Sequence, residues 1–275
     1  MKLDNKMTIK NLSVNYFFDF KNSIGDKKAA MKELVRDVER KNHDYLGFKN
    51  KNKLSDFLQR EIYGFSSGDF LVKKTIGRER INSIIKRSIL ICREFSNSRD
   101  KLIINVFPSY NKFINSKMSG VSGYTSDKKN ILIFISPQKN WQMALKNSLV
   151  HEFAHTKAFK YHQWQTLLES LIFEGLADNF REQMIGGKPA AWSVALNQTA
   201  AKKTFLRLKK LLNSKSEDIY SQVFLGYGRR YPLWSGYAIG YRIVKAYLKA
   251  NKDKSWGEIF KLRPQEIFKQ SIYLK

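Results

Sequence analysis

The sequence is poor in sulfur ligands, in histidine and in acidic groups. It has one cysteine, Cys92. An internal disulfide is therefore excluded, and so is a zinc site built on thiolates. Cys92 closes the apolar run Ile89-Leu90-Ile91-Cys92, where a thiol packs as a small apolar group. No run of eighteen apolar residues exists, so no membrane-spanning helix is expected. Met1 to Lys10 mixes Lys and Asp with no apolar stretch behind it, which does not read as a secretory signal. A cytoplasmic location is the expectation. Acidic groups number 24 against 50 Lys and Arg, a net charge of +26. An excess of this size favours anionic partners such as nucleic acid, membrane or acidic protein. The positive residues are mostly lysines spread along the whole chain beside many Asn and Ile. We read them as solvated surface, and no specific nucleic-acid partner is expected.

What is present suffices for a folded protein. The 275 residues can bury a sizeable core, with 43 % hydrophobic and 13 % aromatic residues. Helical spacing runs through 26–66, where Asp26 can cap and Ala30, Leu34 and Val38 recur, followed by Leu54, Phe57, Leu58 and Ile62. Gly64 to Gly68 marks a loop, and Ile81, Ile84, Ile85, Ile89 and Leu90 predict a helix near 77–96. The pattern then changes. Lys101 to Phe107 reads as a strand, stopped by Pro108. A glycine-bearing segment at 120–125 reads as a loop, and Asp127 to Asn130 as a turn. Ile131-Leu132-Ile133-Phe134-Ile135 reads as a strand interior to a sheet, stopped by Pro137. Helices follow at 141–159, from Thr166 to before Gly186-Gly187, at 201–214 and at about 235–250. Thr166 and Glu169 have capping-box spacing.

Of only four histidines, three fall between 151 and 162. His151-Glu152-Phe153-Ala154-His155 is an H-E-x-x-H string inside an apolar helical pattern. Residues four apart share one helix face, so His151 and His155 can bind one ion. Glu152 lies about 100° around the helix, within reach of a metal-bound water but badly placed to ligate. A catalytic zinc keeps three protein ligands and an open fourth position. The expected third ligand is Glu174, in Glu174-Gly175-Leu176-Ala177-Asp178. Gly175 would let the two helices approach closely. Asp178, one turn on, could accept the second ring N–H of His151 or His155 and so fix the tautomer. His162 is a rival ligand. The spacing that would recruit a third histidine needs one at 161 and a glycine at 158, where this chain has Tyr161 and Ala158. His162 therefore reads better as a rim or substrate-cleft residue, and His43, among polar residues, as surface.

These residues resemble the gluzincin group of metallopeptidases. More narrowly, the chain is similar to a bacterial family of predicted zinc-dependent proteases. The likeness rests on Gly120-Val121-Ser122-Gly123-Tyr124, His151 to His155, Phe173 to Asp178, and Trp234 to Val244. It implies one zinc per chain, with His151, His155 and Glu174 as ligands and Glu152 as catalytic base. The implied partner is a peptide or protein substrate, held by strand addition at an edge strand near 120–135, with Gly123 and Tyr124 in one wall of the cleft. Tyr237 or Tyr241, one turn apart, is the expected oxyanion donor, with Arg242 adjacent in the cleft. The alternative is that both tyrosines simply pack, with Gly236 and Gly240 allowing close helix contact.

The expected class is α+β: a mostly helical, zincin-like fold with a small mixed sheet beside the H-E-x-x-H helix. A helical region over 1–100 and a catalytic domain over 101–275 are expected, either as two domains or as one continuous unit. Two other functions compete. One is a non-hydrolytic, metal-stabilised regulatory protein. The other is a basic nucleic-acid-binding module, for which the helix at 201–214 is the best candidate, with Lys202, Lys203, Arg207, Lys209 and Lys210.

Overall fold

The computed structural model describes residues 9–18, 27–64, 77–96, 98–136 and 138–271. The cap expected at Asp26, the loop from Phe65 to Gly68, the stop at Pro137 and most of the first ten residues lie outside them. The described chain is mostly helical with one four-stranded sheet, so the class is α+β. It divides into two compact units, Met1–Thr156 and Lys157–Lys275.

The first unit holds β1 (Leu12–Tyr16), α1 (Lys27–Asn42), α2 (Lys51–Tyr63), α3 (Arg78–Ser96), β2 (Leu102–Pro108), α4 (Lys112–Lys117), β3 (Val121–Thr125) and β4 (Asn130–Ile135). Most of α5 (Trp141–Ala158) also belongs to it. Strand order is β1-β2-β4-β3. The first three run parallel, and β3 pairs antiparallel with β4, Gly123 opposite Ile133 and Thr125 opposite Ile131. Every residue of β2 and β4 is buried. Strands covered on both faces need apolar residues at successive positions, which is why neither alternates. The segment read as a loop at 120–125 is instead strand β3. Its pairing with β4 satisfies the backbone despite Gly123, a case of tertiary context overriding local propensity. The Asp127 turn is as expected: Asp127 Oδ1 accepts from the Lys129 and Asn130 amides at 2.7 and 2.9 Å. Phe107 stacks between Phe17 and Phe134, with centroids 4.6 and 5.3 Å away, and Leu34, Val38, Leu58 and Ile62 from α1 and α2 join this core.

Helix α5 is buried over its last three turns, while Met143 in its first turn is exposed. All of its residues from 148 to 158 are buried. A helix with no solvated side must satisfy whatever polar groups it carries inside the protein.

The second unit is helical: α6 (Leu167–Ile185), α7 (Gln198–Leu208), α8 (Glu217–Leu225), α9 (Ser235–Ala250), α10 (Trp256–Ile259) and α11 (Pro264–Gln270). Thr166 and Glu169 close the expected capping box on α6, and Gly186 ends it. The helix expected at 201–214 is shorter and earlier. Asn197 caps its start by accepting from the Ala200 amide, and it tightens into a 3₁₀ turn over Lys209–Leu211. Helices α6 and α9 touch backbone to backbone. A Cβ on Gly240 would stand 2.0 Å from the Leu171 carbonyl oxygen, and one on Gly175 2.2 Å from that of Gly240. The close approach expected at Gly175 is thus made by α9. Asn179 reinforces the crossing, donating to the Gly175 and Tyr241 carbonyls at 2.8 and 3.0 Å. No described helix is long and apolar enough to cross a membrane.

The glycine crossing sets a prediction. Gly240→Ala forces a methyl group into main chain that has no flexible side chain to yield, so it should destabilise the protein by about 1–3 kcal/mol. Thermal denaturation of the variant checks this, and an unchanged midpoint would contradict it.

Candidate metal centre

Helix α5 carries His151 and His155 one turn apart, both buried. Their Nε2 atoms are 3.0 Å apart, and the rings stand at 87° to each other. Glu174, on α6, is also buried. One ligand atom from each of His151, His155 and Glu174 lies within 4.8 Å of the other two. Two nitrogens bound to one zinc at tetrahedral angles stand about 3.3 Å apart. The imidazole spacing therefore fits a single ion. Two imidazoles and a carboxylate are also the donor set of catalytic zinc sites, which leave a fourth position open.

Glu152 follows His151 and is equally buried. Its Oε2 accepts from Thr125 Oγ1 at 2.7 Å, and the same hydroxyl lies 2.9 Å from the Glu152 carbonyl oxygen. One hydroxyl proton serves one of these acceptors at a time. The carboxylate lies across β3 at Gly123, where a Cβ would stand 2.5 Å from Glu152 Cγ and 2.8 Å from Oε1. Gly123 therefore works by having no side chain. Sequence reasoning missed Thr125. The available signal was strand alternation, which puts 123 and 125 on one face and 124 on the other. Tyr124 does turn the other way, its ring 4.5 Å from Phe57 and 6.0 Å from Phe48.

In the second unit, Asp178 is fully buried. Its two oxygens accept from Trp192 Nε1 at 3.0 Å and Ser193 Oγ at 2.7 Å. Neither donor was singled out from the sequence, because the segment before α7 carries no periodic pattern. Arg242 was expected in the substrate cleft. Its guanidinium donates to the Ser193 and Leu196 carbonyls at 3.3 and 2.6 Å, so it braces the segment that supplies Asp178 with its partners.

Residues 81–269 match the sequence profile of a protein family described as predicted Zn-dependent protease (DUF2268). The chain belongs to this family. No curated protein and no solved structure matches it. The matched region takes in all of α5, α6 and α9, and with them every residue of the histidine–glutamate group.

Four other positions singled out from the sequence of this family member have surroundings of their own. Tyr241 donates to Glu182 Oε2 at 2.5 Å and accepts from Lys245 Nζ at 2.6 Å. Burial raises the pKa of its hydroxyl, and the hydrogen bond to Glu182 raises it further. Glu182 lies eight residues beyond Glu174 on α6, about 12 Å along the axis. Tyr237 packs against Phe224 and Trp192 at 5.2 and 6.5 Å, beside the indole that binds Asp178. His162 Nε2 pairs with the Phe260 carbonyl at 2.9 Å, and His43 is exposed.

Metal content follows from the donor set. The purified chain should hold about one zinc, and chelation should lower its midpoint of thermal unfolding, since ligand present at a thousandfold above Kd stabilises by about 4 kcal/mol. His151→Ala should lose the metal. Elemental analysis of both proteins checks this, and equal zinc in the two would remove His151 from the site.

Proposed function

We propose that this chain is a zinc-dependent peptidase with His151, His155 and Glu174 as metal ligands and Glu152 as general base. The observation that carries this reading is the meeting of three buried donors, together with a second buried carboxylate, that of Glu152, which is bonded by Thr125 and given room by Gly123 on β3. A metal site that only stabilised the fold would not need a further buried carboxylate with its own hydroxyl partner. When bound, zinc would lower the pKa of a coordinated water to about 7 and polarise the substrate carbonyl.

The remaining chemistry belongs to the protein. Glu152 takes the proton of the attacking water on its carboxylate and returns it to the leaving amine. Thr125 fixes the carboxylate rotamer through Oε2, leaving Oε1 for the proton. Asp178 is suited to receive the second ring N–H of a histidine ligand, since a carboxylate with two donors still has lone pairs to offer. The oxyanion donor is one of the two tyrosines, and Tyr241 would have to release a bond to act. The hydroxyl of Tyr241 is already shared with Glu182 and Lys245. Among the described residues strand β3 lies at the sheet edge, so a peptide substrate can pair with its outer side, on the strand that carries Thr125 and Gly123.

Glu152→Gln should keep zinc and lower peptide hydrolysis by roughly 10²–10⁴-fold. Gly123→Ala should also keep zinc while displacing the Glu152 side chain, with a fall in kcat. A peptide-library cleavage assay with and without chelator checks both, beside elemental analysis. If Glu152→Gln cleaved as fast as wild type, the assigned base would be wrong.

A further inference from the structure

The second unit carries an exposed face that the proposed chemistry does not use. Between Gln198 and Trp234 stand Lys202, Lys203, Arg207, Lys209, Lys210, Lys215, Arg229 and Arg230, against only Glu217 and Asp218. Seven of these cations lie on α7, its 3₁₀ extension and the turn before α9, and all seven are exposed. Large apolar side chains stand among them in water: Leu206 is 56 % exposed, Leu225 40 %, Tyr227 48 % and Leu233 36 %. The two segments are joined. Arg207 of α7 donates to the Arg230 carbonyl at 3.3 Å and lies over the Tyr231 ring at 5.0 Å. The turn also closes on itself, since a Cβ on Gly226 would stand 3.1 Å from Leu233 Cα. The turn itself holds a strained shape, with φ of 55° at Arg229 and 66° at Trp234, neither of which is glycine.

Cations around exposed aliphatic groups suit one partner chemistry best. A nucleic-acid surface of this size would offer several flat rings for base stacking. This face offers one exposed ring, Tyr227, with Trp234 only partly exposed, against three exposed leucines, and aliphatic groups gain nothing from bases. An anionic lipid surface rewards both components, attracting Lys and Arg to the headgroups while the leucines enter the acyl boundary. We infer that α7, the end of α8 at Leu225 and the 226–234 turn dock this protein on an anionic membrane surface.

Flotation of the full chain with vesicles tests this. One set is phosphatidylcholine alone, the other equal parts phosphatidylcholine and phosphatidylglycerol. Binding is expected to the second set only, and to weaken with salt. Arg229→Gln with Arg230→Gln should weaken it roughly thirtyfold, at about 1 kcal/mol per cation. Leu225→Ser with Leu233→Ser, which leaves charge unchanged, should weaken it by roughly tenfold. Both pairs are exposed, and an unchanged thermal midpoint verifies folding. Lys32→Gln with Lys53→Gln, on α1 and α2, should have little effect. Three results would each overturn the inference: no binding to anionic vesicles at low salt, equal losses from the Lys32 and Lys53 pair, or binding indifferent to the leucines. A single-stranded oligonucleotide bound more tightly than the vesicles, through the same arginines, would assign the face to nucleic acid instead.

Discussion

The fold is constrained by one requirement: polar side chains on a helix with no solvated side must find partners inside the protein. Helix α5 is buried over its last three turns, and there it carries His151, Glu152 and His155. Leaving such groups unsatisfied costs several kcal/mol each, so their placement is bought with specific neighbours. Thr125 serves Glu152, and the two imidazoles converge with the Glu174 carboxylate. The same logic governs Asp178, which at zero exposure takes a donor on each oxygen.

Two glycine devices support these partners. On β3, Gly123 leaves room for the Glu152 side chain where any Cβ would collide. On α6 and α9, Gly175 and Gly240 allow main chain to meet main chain, with Asn179 bonded across the contact. That crossing fixes α6, the helix that carries Glu174 and Asp178. Arg242, on α9, holds the 193–196 segment, and through it the donors to Asp178. These contacts hold the α6 segment that carries both carboxylates within the second unit.

What the sequence disclosed depended on the range of the interaction. His151 and His155 were legible because four residues is one helical turn, and β4 because a β-branched run covered on both faces has few other uses. Helix α9 was placed at 235–250 from spacing and glycine positions, as found. The capping box at Thr166 was equally visible, being contained in four residues. Thr125 was not, since a lone hydroxyl in a glycine-bearing stretch acquires meaning only when β3 pairs with β4. Trp192 and Ser193 were hidden for the same reason: their acceptor lies on another element. Arg242 and Tyr241 were noticed, yet their bonds to Ser193, Leu196, Glu182 and Lys245 depend on helix packing that no local pattern encodes.

X-ray absorption at the zinc edge on the metal-loaded full chain reads the ligand set itself. A nitrogen and oxygen shell at about 2.0–2.2 Å is expected, with two imidazole signatures and no sulfur. One imidazole should vanish in His155→Ala. A shell unchanged in both His155→Ala and Glu174→Ala would contradict it, for the ion would then lie elsewhere in the molecule.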